Sequence, residues 1–189
     1  MKATTFERTT RETRIRLSLG EKTNTIQTSE PMLTHFLEQL SFYSGIGLTV
    51  EAEDLVPLGD AHHLAEDIAI ALGRAFDEAL GDRAKIARYG QRLLPMDEAL
   101  ATCAIDAGGR PWAVIDIPFP MPMLGGLATE NILHFFRSLA MEARFTLNLS
   151  VKGENTHHMA EAAFKALGMA LREALSPSED LRSTKGVLR

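Results

Sequence analysis

Two periodicities alternate along this chain of 189 residues. In ERTTRETRIRLSL, 7–19, the later part puts Ile15, Leu17 and Leu19 on one side and Arg14, Arg16 and Ser18 on the other, the two-residue period of a half-buried strand. TNTIQT, 23–28, reads as its hairpin partner. MLTHFLEQLSF, 32–42, then carries apolar residues at 33, 36, 37 and 40, a helical stripe. GLTVEAED, 47–54, alternates again before an alanine- and leucine-rich helix over 61–80. The second half repeats this order: LATCAID at 100–106, WAVIDIP at 112–118, a helix over 131–143, the strand RFTLNLSV, and a helix over 156–175. The pattern predicts an α+β protein of duplicated ββαβα halves, 1–92 and 93–189, each a small sheet with helices packed on one face, together forming one compact unit. MPMLGG, 121–126, reads as an ordinary connection between a strand and a helix.

The duplication is also written in the residues. AHHLAEDIAIALGRAFDEAL, 61–80, lies on THHMAEAAFKALGMALREAL, 156–175, without a gap, and 11 of the 20 positions are identical. Two copies mean a duplicated unit rather than a solenoid. His35 in LTHFLEQL and His134 in ILHFFRSL occupy matching helices, so all six histidines fall into three equivalent pairs. A lone histidine is usually a satisfied imidazole, and a His/acid run is usually a solvated helix start. Neither reading explains a shared pseudo-symmetry.

Metal ligation does explain it. Successive helical residues point about 100° apart, so the neighbours His62 and His63 address different ions, while each shares a face with Glu66. With the second copy, His35, His62, His63, Glu66, His134, His157, His158 and Glu161 make eight candidate ligands, enough for two sites of four with positions left open. Imidazole and carboxylate without thiolate suit Mn, Fe, Co, Ni or Zn, and open positions favour catalysis over bracing. Ligands drawn from neighbouring subunits are one way to complete such sites. Asp67, by contrast, has only Ala162 as its counterpart.

Composition narrows the partners. The single cysteine, Cys103, excludes an intramolecular disulfide and a thiolate-rich zinc site. The first residues lack the apolar core of a signal peptide, and no apolar run approaches the ~18 residues of a membrane span. A net charge of -5 with no basic block argues against nucleic acid. A cytoplasmic protein acting on a small molecule is expected.

Nine segments then carry a resemblance: RTTRET at 8–13, HHLAED, ALGD at 79–82, ARYG at 87–90, PMDEAL at 95–100, DAGGRP at 106–111, HFFRSLA at 134–140, HHMAEAAFKALG and STKGVL at 183–188. In this order they resemble the imidazoleglycerol-phosphate dehydratase family of histidine biosynthesis. The resemblance implies a ribosomal protein S5 domain 2-like fold, a 24-subunit homo-oligomer, and two divalent metal ions per site, Mn(2+), held between subunits by the eight ligands above. It implies dehydration of D-erythro-imidazoleglycerol phosphate to imidazole acetol phosphate, with Glu12, Glu66 and Glu161 in the catalytic set. Glu12 and Gln39 would contact substrate, and Arg88, Arg110, Ser183 and Lys185 would bind phosphate, the last two from a C-terminal phosphate-binding tail. Thr34 and Leu133 stand where the family usually has acids beside the lone histidines. A metal-organised oligomer without this activity and a metal-dependent phosphohydrolase remain the rival readings.

Overall fold

A computed structural model describes residues 2–21, 23–179 and 183. Its first half contains β1 (Thr4–Thr9), β2 (Thr13–Leu19), β3 (Thr25–Thr28), α1 (Pro31–Ser44), β4 (Leu48–Asp54) and α2 (His62–Leu80). The second contains β5 (Tyr89–Met96), β6 (Ala99–Asp106), β7 (Trp112–Asp116), the short β8 (Met123–Leu124) and β9 (Leu127–Ala128), α3 (Thr129–Glu142), β10 (Thr146–Lys152) and α4 (Thr156–Ala174). The main sheets have matching orders, β1-β2-β4-β3 and β5-β6-β10-β7. The α+β class and the duplication hold, and each half opens with one strand more than the pattern predicts.

Three boundaries move. The stretch read as one strand over 7–19 is a hairpin, with Thr9 opposite Arg14 across its turn. TNTIQT is no hairpin partner of β2: β3 pairs parallel with β4, Ile26 opposite Val50. Parallel neighbours need a crossover, and α1 supplies it, as α3 does between β7 and β10. A division at 92/93 would cut β5, which pairs along its whole length with β6; the chain passes between the sheets in 81–88. MPMLGG forms the β8–β9 hairpin, turning at Gly125 with φ 61° and abutting Glu30 and Met32 at the start of α1.

Each sheet buries one face under helices. In β2, Thr13, Ile15, Leu17 and Leu19 point inward and Arg14 and Arg16 outward, and β6 alternates likewise with Ala99, Ala101, Cys103 and Ile105 inside. α2 packs on its own sheet and against α3, and α4 packs on its own sheet and against α1, so one apolar core joins the halves. Phe36, Phe135, Phe136 and Phe164 fill its centre, with the Phe36 and Phe164 rings stacked at 5.1 Å. Among the described residues no helix is long and apolar enough to cross a membrane.

Equivalent glycines set both helix crossings. A Cβ on Gly73 would lie 2.8 Å from Ala143 N, and one on Gly168 2.9 Å from Leu40 O and 3.0 Å from Ser44 N. These are backbone atoms and cannot swing aside. Overpacking costs about 1–3 kcal/mol, against roughly 1 kcal/mol that alanine gains in helix propensity. Gly73→Ala and Gly168→Ala are therefore expected to lower the urea midpoint at unchanged m-value.

Candidate metal centre

Each copy of the repeated helix begins at a junction that fixes its histidines. α4 has Asn155 as N-cap, its side chain accepting from His157 N and His158 N. α2 has no side-chain bond from its N-cap Ala61, which sits at φ 58°; Asp60 Oδ1 accepts from His62 N instead at 3.0 Å. Asp60 thus caps the start of α2 from one residue outside the N-cap. Asp60 O also accepts from Asn131 Nδ2 at 2.8 Å. That bond turns Asn131 Oδ1 toward His62 Nδ1, 2.9 Å away, so Nδ1 carries the proton and Nε2 keeps its lone pair.

Two triads result, each taking members from both halves. His35 from α1 meets His157 and Glu161 from α4: Glu161 Oε2 is 3.3 Å from His35 Nε2 and 3.0 Å from His157 Nε2, and donor atoms of the three lie within 4.8 Å of one another. His134 from α3 meets His62 and Glu66 from α2, with Glu66 3.1 Å from His134 Nε2 and 3.8 Å from His62 Nε2. The paired imidazoles stack in both, at centroid distances of 5.5 Å and 5.6 Å. The first triad is tighter and its carboxylate more buried, the Glu161 side chain being 10% exposed and that of Glu66 36%. Burial opposes ionisation of Glu161, but hydrogen bonds from Lys165, at 2.7 Å, and His35 outweigh it and hold the carboxyl below its ordinary range.

The remaining two histidines turn elsewhere. His63 Nε2 faces Glu12 Oε1 at 3.7 Å, and its buried Nδ1 has no hydrogen-bond partner among the described residues. His158 Nδ1 donates to Glu98 Oε2 at 2.8 Å, while its Nε2 lies 3.6 Å from Asp97 Oδ2. The hydrogen bond to His158, joined by backbone N–H groups of 154 and 155, holds the Glu98 carboxyl down at about 2. Two imidazole nitrogens converge on one carboxylate oxygen at Glu161 and on the two oxygens of one carboxylate at Glu66, each with a third histidine beside it, a donor set that fits divalent cations. His35, His157, Glu161 and His62, His134, Glu66 would hold them, while His63 and His158 face Glu12 and the Asp97/Glu98 turn.

The predicted phosphate ligands lie elsewhere in the chain. Arg88 donates to Asp106 through Nε at 2.7 Å and Nη2 at 2.9 Å, and Arg110 reaches the same carboxylate at 3.4 Å. The hydrogen bond to Asp106 raises the Arg88 guanidinium above its ordinary value. Arg88 N donates to Ala174 O at the last residue of α4, whereas His157 and His158 sit in its first turn. At 1.5 Å per residue these are roughly 25 Å apart. Gln39 is half-buried one turn beyond His35, in a hollow with Asn24, Ile26, Glu38 and Phe42. Ser183 is half-buried outside any strand or helix, and Lys185 lies outside the described residues. Arg8 and Arg14, on either side of Glu12 in the sequence, are bonded to Asp67 and Glu53. Asn131, Glu98, Asp97 and Lys165 were not singled out from the sequence; Asn131 and Lys165 could have been found one turn from His134 and Glu161 respectively.

A duplicated α+β fold with pseudo-symmetric His/His/carboxylate triads defines a class of protein with a candidate cation site of nitrogen and oxygen ligands. Comparison with known proteins supplies the family: the imidazoleglycerol-phosphate dehydratase family matches residues 28–171. The chain is 46% identical over 185 residues to the imidazoleglycerol-phosphate dehydratase of Pyrobaculum calidifontis, covering 97% of this chain and 99% of that protein. It is 48% identical over 186 residues to the histidine biosynthesis bifunctional protein HisB of Legionella pneumophila, covering 96% of this chain and 52% of that one. The crystal structure of the Pyrococcus furiosus enzyme in complex with (S)-C348 superposes with a TM-score of 0.85 at 39% identity, covering 96% of this chain and 99% of that one. The chain belongs to the imidazoleglycerol-phosphate dehydratase family; it is a hydro-lyase of histidine biosynthesis.

Proposed function

We propose that the protein performs a metal-dependent dehydration of D-erythro-imidazoleglycerol phosphate to imidazole acetol phosphate, using two divalent cations, Mn(2+), per site. The observation that carries this is the pair of triads assembled across the two halves, with His63 and His158 beside them. When bound, the cations supply Lewis-acid polarisation of the substrate's imidazole. The eight His and Glu side chains would hold those cations. Glu66 and Glu161 are each engaged between two imidazoles, which leaves Glu12, more than half exposed and 3.7 Å from His63, to move protons. In the elimination the proton on the middle carbon goes to a carboxylate, the hydroxyl on the carbon next to the ring takes a proton and leaves as water, and the enol becomes the ketone as its ring-side carbon takes up a proton. Gln39 would contact the substrate beside His35, and Arg88, Arg110, Ser183 and Lys185 would hold its phosphate, for which a guanidinium fork is well shaped.

The distance between Arg88 and His157 along α4 supports a site shared between subunits. A separation of roughly 25 Å along a helix exceeds the reach of one small phosphorylated imidazole. The phosphate-binding residues of one chain would therefore complement the metal ligands of another, in a homo-oligomer that the family resemblance puts at 24 subunits. Incubating manganese-loaded protein with imidazoleglycerol phosphate is expected to yield the ketone. Absence of turnover with both metals bound, or release of inorganic phosphate in its place, would overturn the reading.

A further inference from the structure

The internal repeat gives Glu12 a counterpart that spacing alone conceals. Glu12 immediately precedes Thr13, which opens β2, and Glu98 immediately precedes Ala99, which opens β6; both strands are second in their sheets. Each glutamate stands beside the second histidine of a pair, His63 or His158. The two are nevertheless held in opposite ways.

Glu98 holds its own turn. One carboxylate oxygen accepts from Asn155 N at 2.8 Å and Glu154 N at 3.3 Å, and the other accepts from His158 Nδ1 at 2.8 Å. Its carboxylate is fully engaged in joining the β5–β6 turn to the start of α4.

The Glu12 turn is held by other residues. Thr10 Oγ1 accepts from the backbone N–H of Glu12 at 3.1 Å and of Thr13 at 2.9 Å. Thr13 Oγ1 donates to Asp67 Oδ2 at 2.5 Å, and Arg8 Nε donates to Asp67 Oδ1 at 2.9 Å. Asp67 is 6% exposed, on α2 directly after Glu66. Both carboxylate oxygens are satisfied, which a buried acid requires. In the second half all three polar residues are replaced. Ala99 stands for Thr13 and Ala162 for Asp67; Leu94, paired with Ala101 as Arg8 is with Ile15, stands for Arg8. An ion-paired hydrogen-bond set in one half is thus an apolar set in the other, and the brace exists only where the turn glutamate does not hold its own turn.

The geometry points to Asp67 as a positioning residue for Glu12: by fixing the β1–β2 turn through Thr13 and Arg8, it leaves the Glu12 carboxylate unengaged and aimed at the His63 side of the site. This rests on the proton-moving role given to Glu12 above. The division of labour is chemical, since a carboxylate bonded to two backbone N–H groups and an imidazole, like that of Glu98, is a poor proton acceptor.

The test transplants the second half's solution into the first. Arg8→Leu, Thr13→Ala and Asp67→Ala together install an apolar set already packed at the equivalent place in this chain, and Asp67→Asn, which keeps one acceptor, is the milder partner. Arg14→Ala, which breaks an exposed cross-strand pair in the same hairpin, is the control. In the manganese-loaded oligomer the triple variant is expected to lose at least tenfold in kcat, with KM within about threefold, metal content at the parental level and Asp67→Asn intermediate; Arg14→Ala keeps the parental rate. A merely structural brace would lower Tm and leave kcat within twofold of parent, and that result overturns the proposal. Glu12→Gln run alongside separates the two readings. If it abolishes turnover while the triple variant retains it, Asp67 is not the positioning residue and the function stands; if Glu12→Gln itself turns over normally, the role given to Glu12 fails first.

Discussion

Glu12→Gln is expected to lower kcat by roughly 10²–10⁴-fold, the range for loss of a positioned acid or base, while leaving two metal equivalents per chain. Glutamine keeps the size and hydrogen-bonding oxygen of the side chain but can neither take nor give a proton at working pH. Folding should hardly register the change, because the Glu12 side chain is 54% exposed and meets only His63, at 3.7 Å, among the described residues. The turn's own bonds run through Thr10 Oγ1, Thr13 and the Glu12 carbonyl, which accepts from Leu55 N at 2.7 Å. None of them involves the Glu12 carboxylate. A drop in kcat with parental metal content, Tm and assembly size would therefore isolate proton transfer from site construction. Parental turnover would remove Glu12 from the mechanism and direct attention to Glu66 and Glu161.

What the sequence disclosed depended on which residues had kept their identity after duplication. The two long helices were legible because His62, His63 and Glu66 recur as His157, His158 and Glu161 in register with a conventional helical stripe. β1 and β5 were not. TTFERT buries only its first residue, and YGQRLLPM buries only Gly90 and Leu94, so neither displays the alternation that marks a half-buried strand. β3 was misassigned because adjacency in sequence favours a hairpin, whereas its true partner lies beyond α1. The ligands' supports stayed hidden for a related reason. Asn131 and Glu98 act on histidines 69 and 60 residues away, and although Asn131 lies one turn from His134, no local pattern encodes its bond to His62 or that of Glu98 to His158. Thr34, standing where the family has an acid, proves to be occupied at the β3–α1 junction, bonding Thr28 N at 3.2 Å and Thr28 Oγ1 at 2.9 Å. Leu133 packs against the core.

His157→Ala and His158→Ala are expected each to remove a different metal equivalent, and the double variant to remove both, with kcat/KM falling by at least about 100-fold for each single change. That floor follows because losing even an outer-shell partner of a ligand costs about 10–100-fold. The argument begins with helix geometry. Neighbours on α4 diverge by about 100°, and the two rings are accordingly 6.4 Å apart at an interplanar angle of 81°. His157 Nε2 converges with His35 on Glu161 Oε2, whereas His158 is tied through Nδ1 to Glu98, which places its proton on Nδ1 and leaves Nε2 as the donor to a cation. The same divergence recurs at His62 and His63, whose rings lie 5.7 Å apart at 69°, one stacked on His134 and the other facing Glu12. Metal analysis of the purified oligomers reads the outcome directly. If the double variant loses no more metal than either single variant, both neighbours serve one ion, and the assignment of His157 and His158 to separate sites is wrong. If the losses add, the doubled histidine motif is one half of a device that feeds two ions from each helix start, and chelation of the parent enzyme should abolish turnover in step with release of the second equivalent.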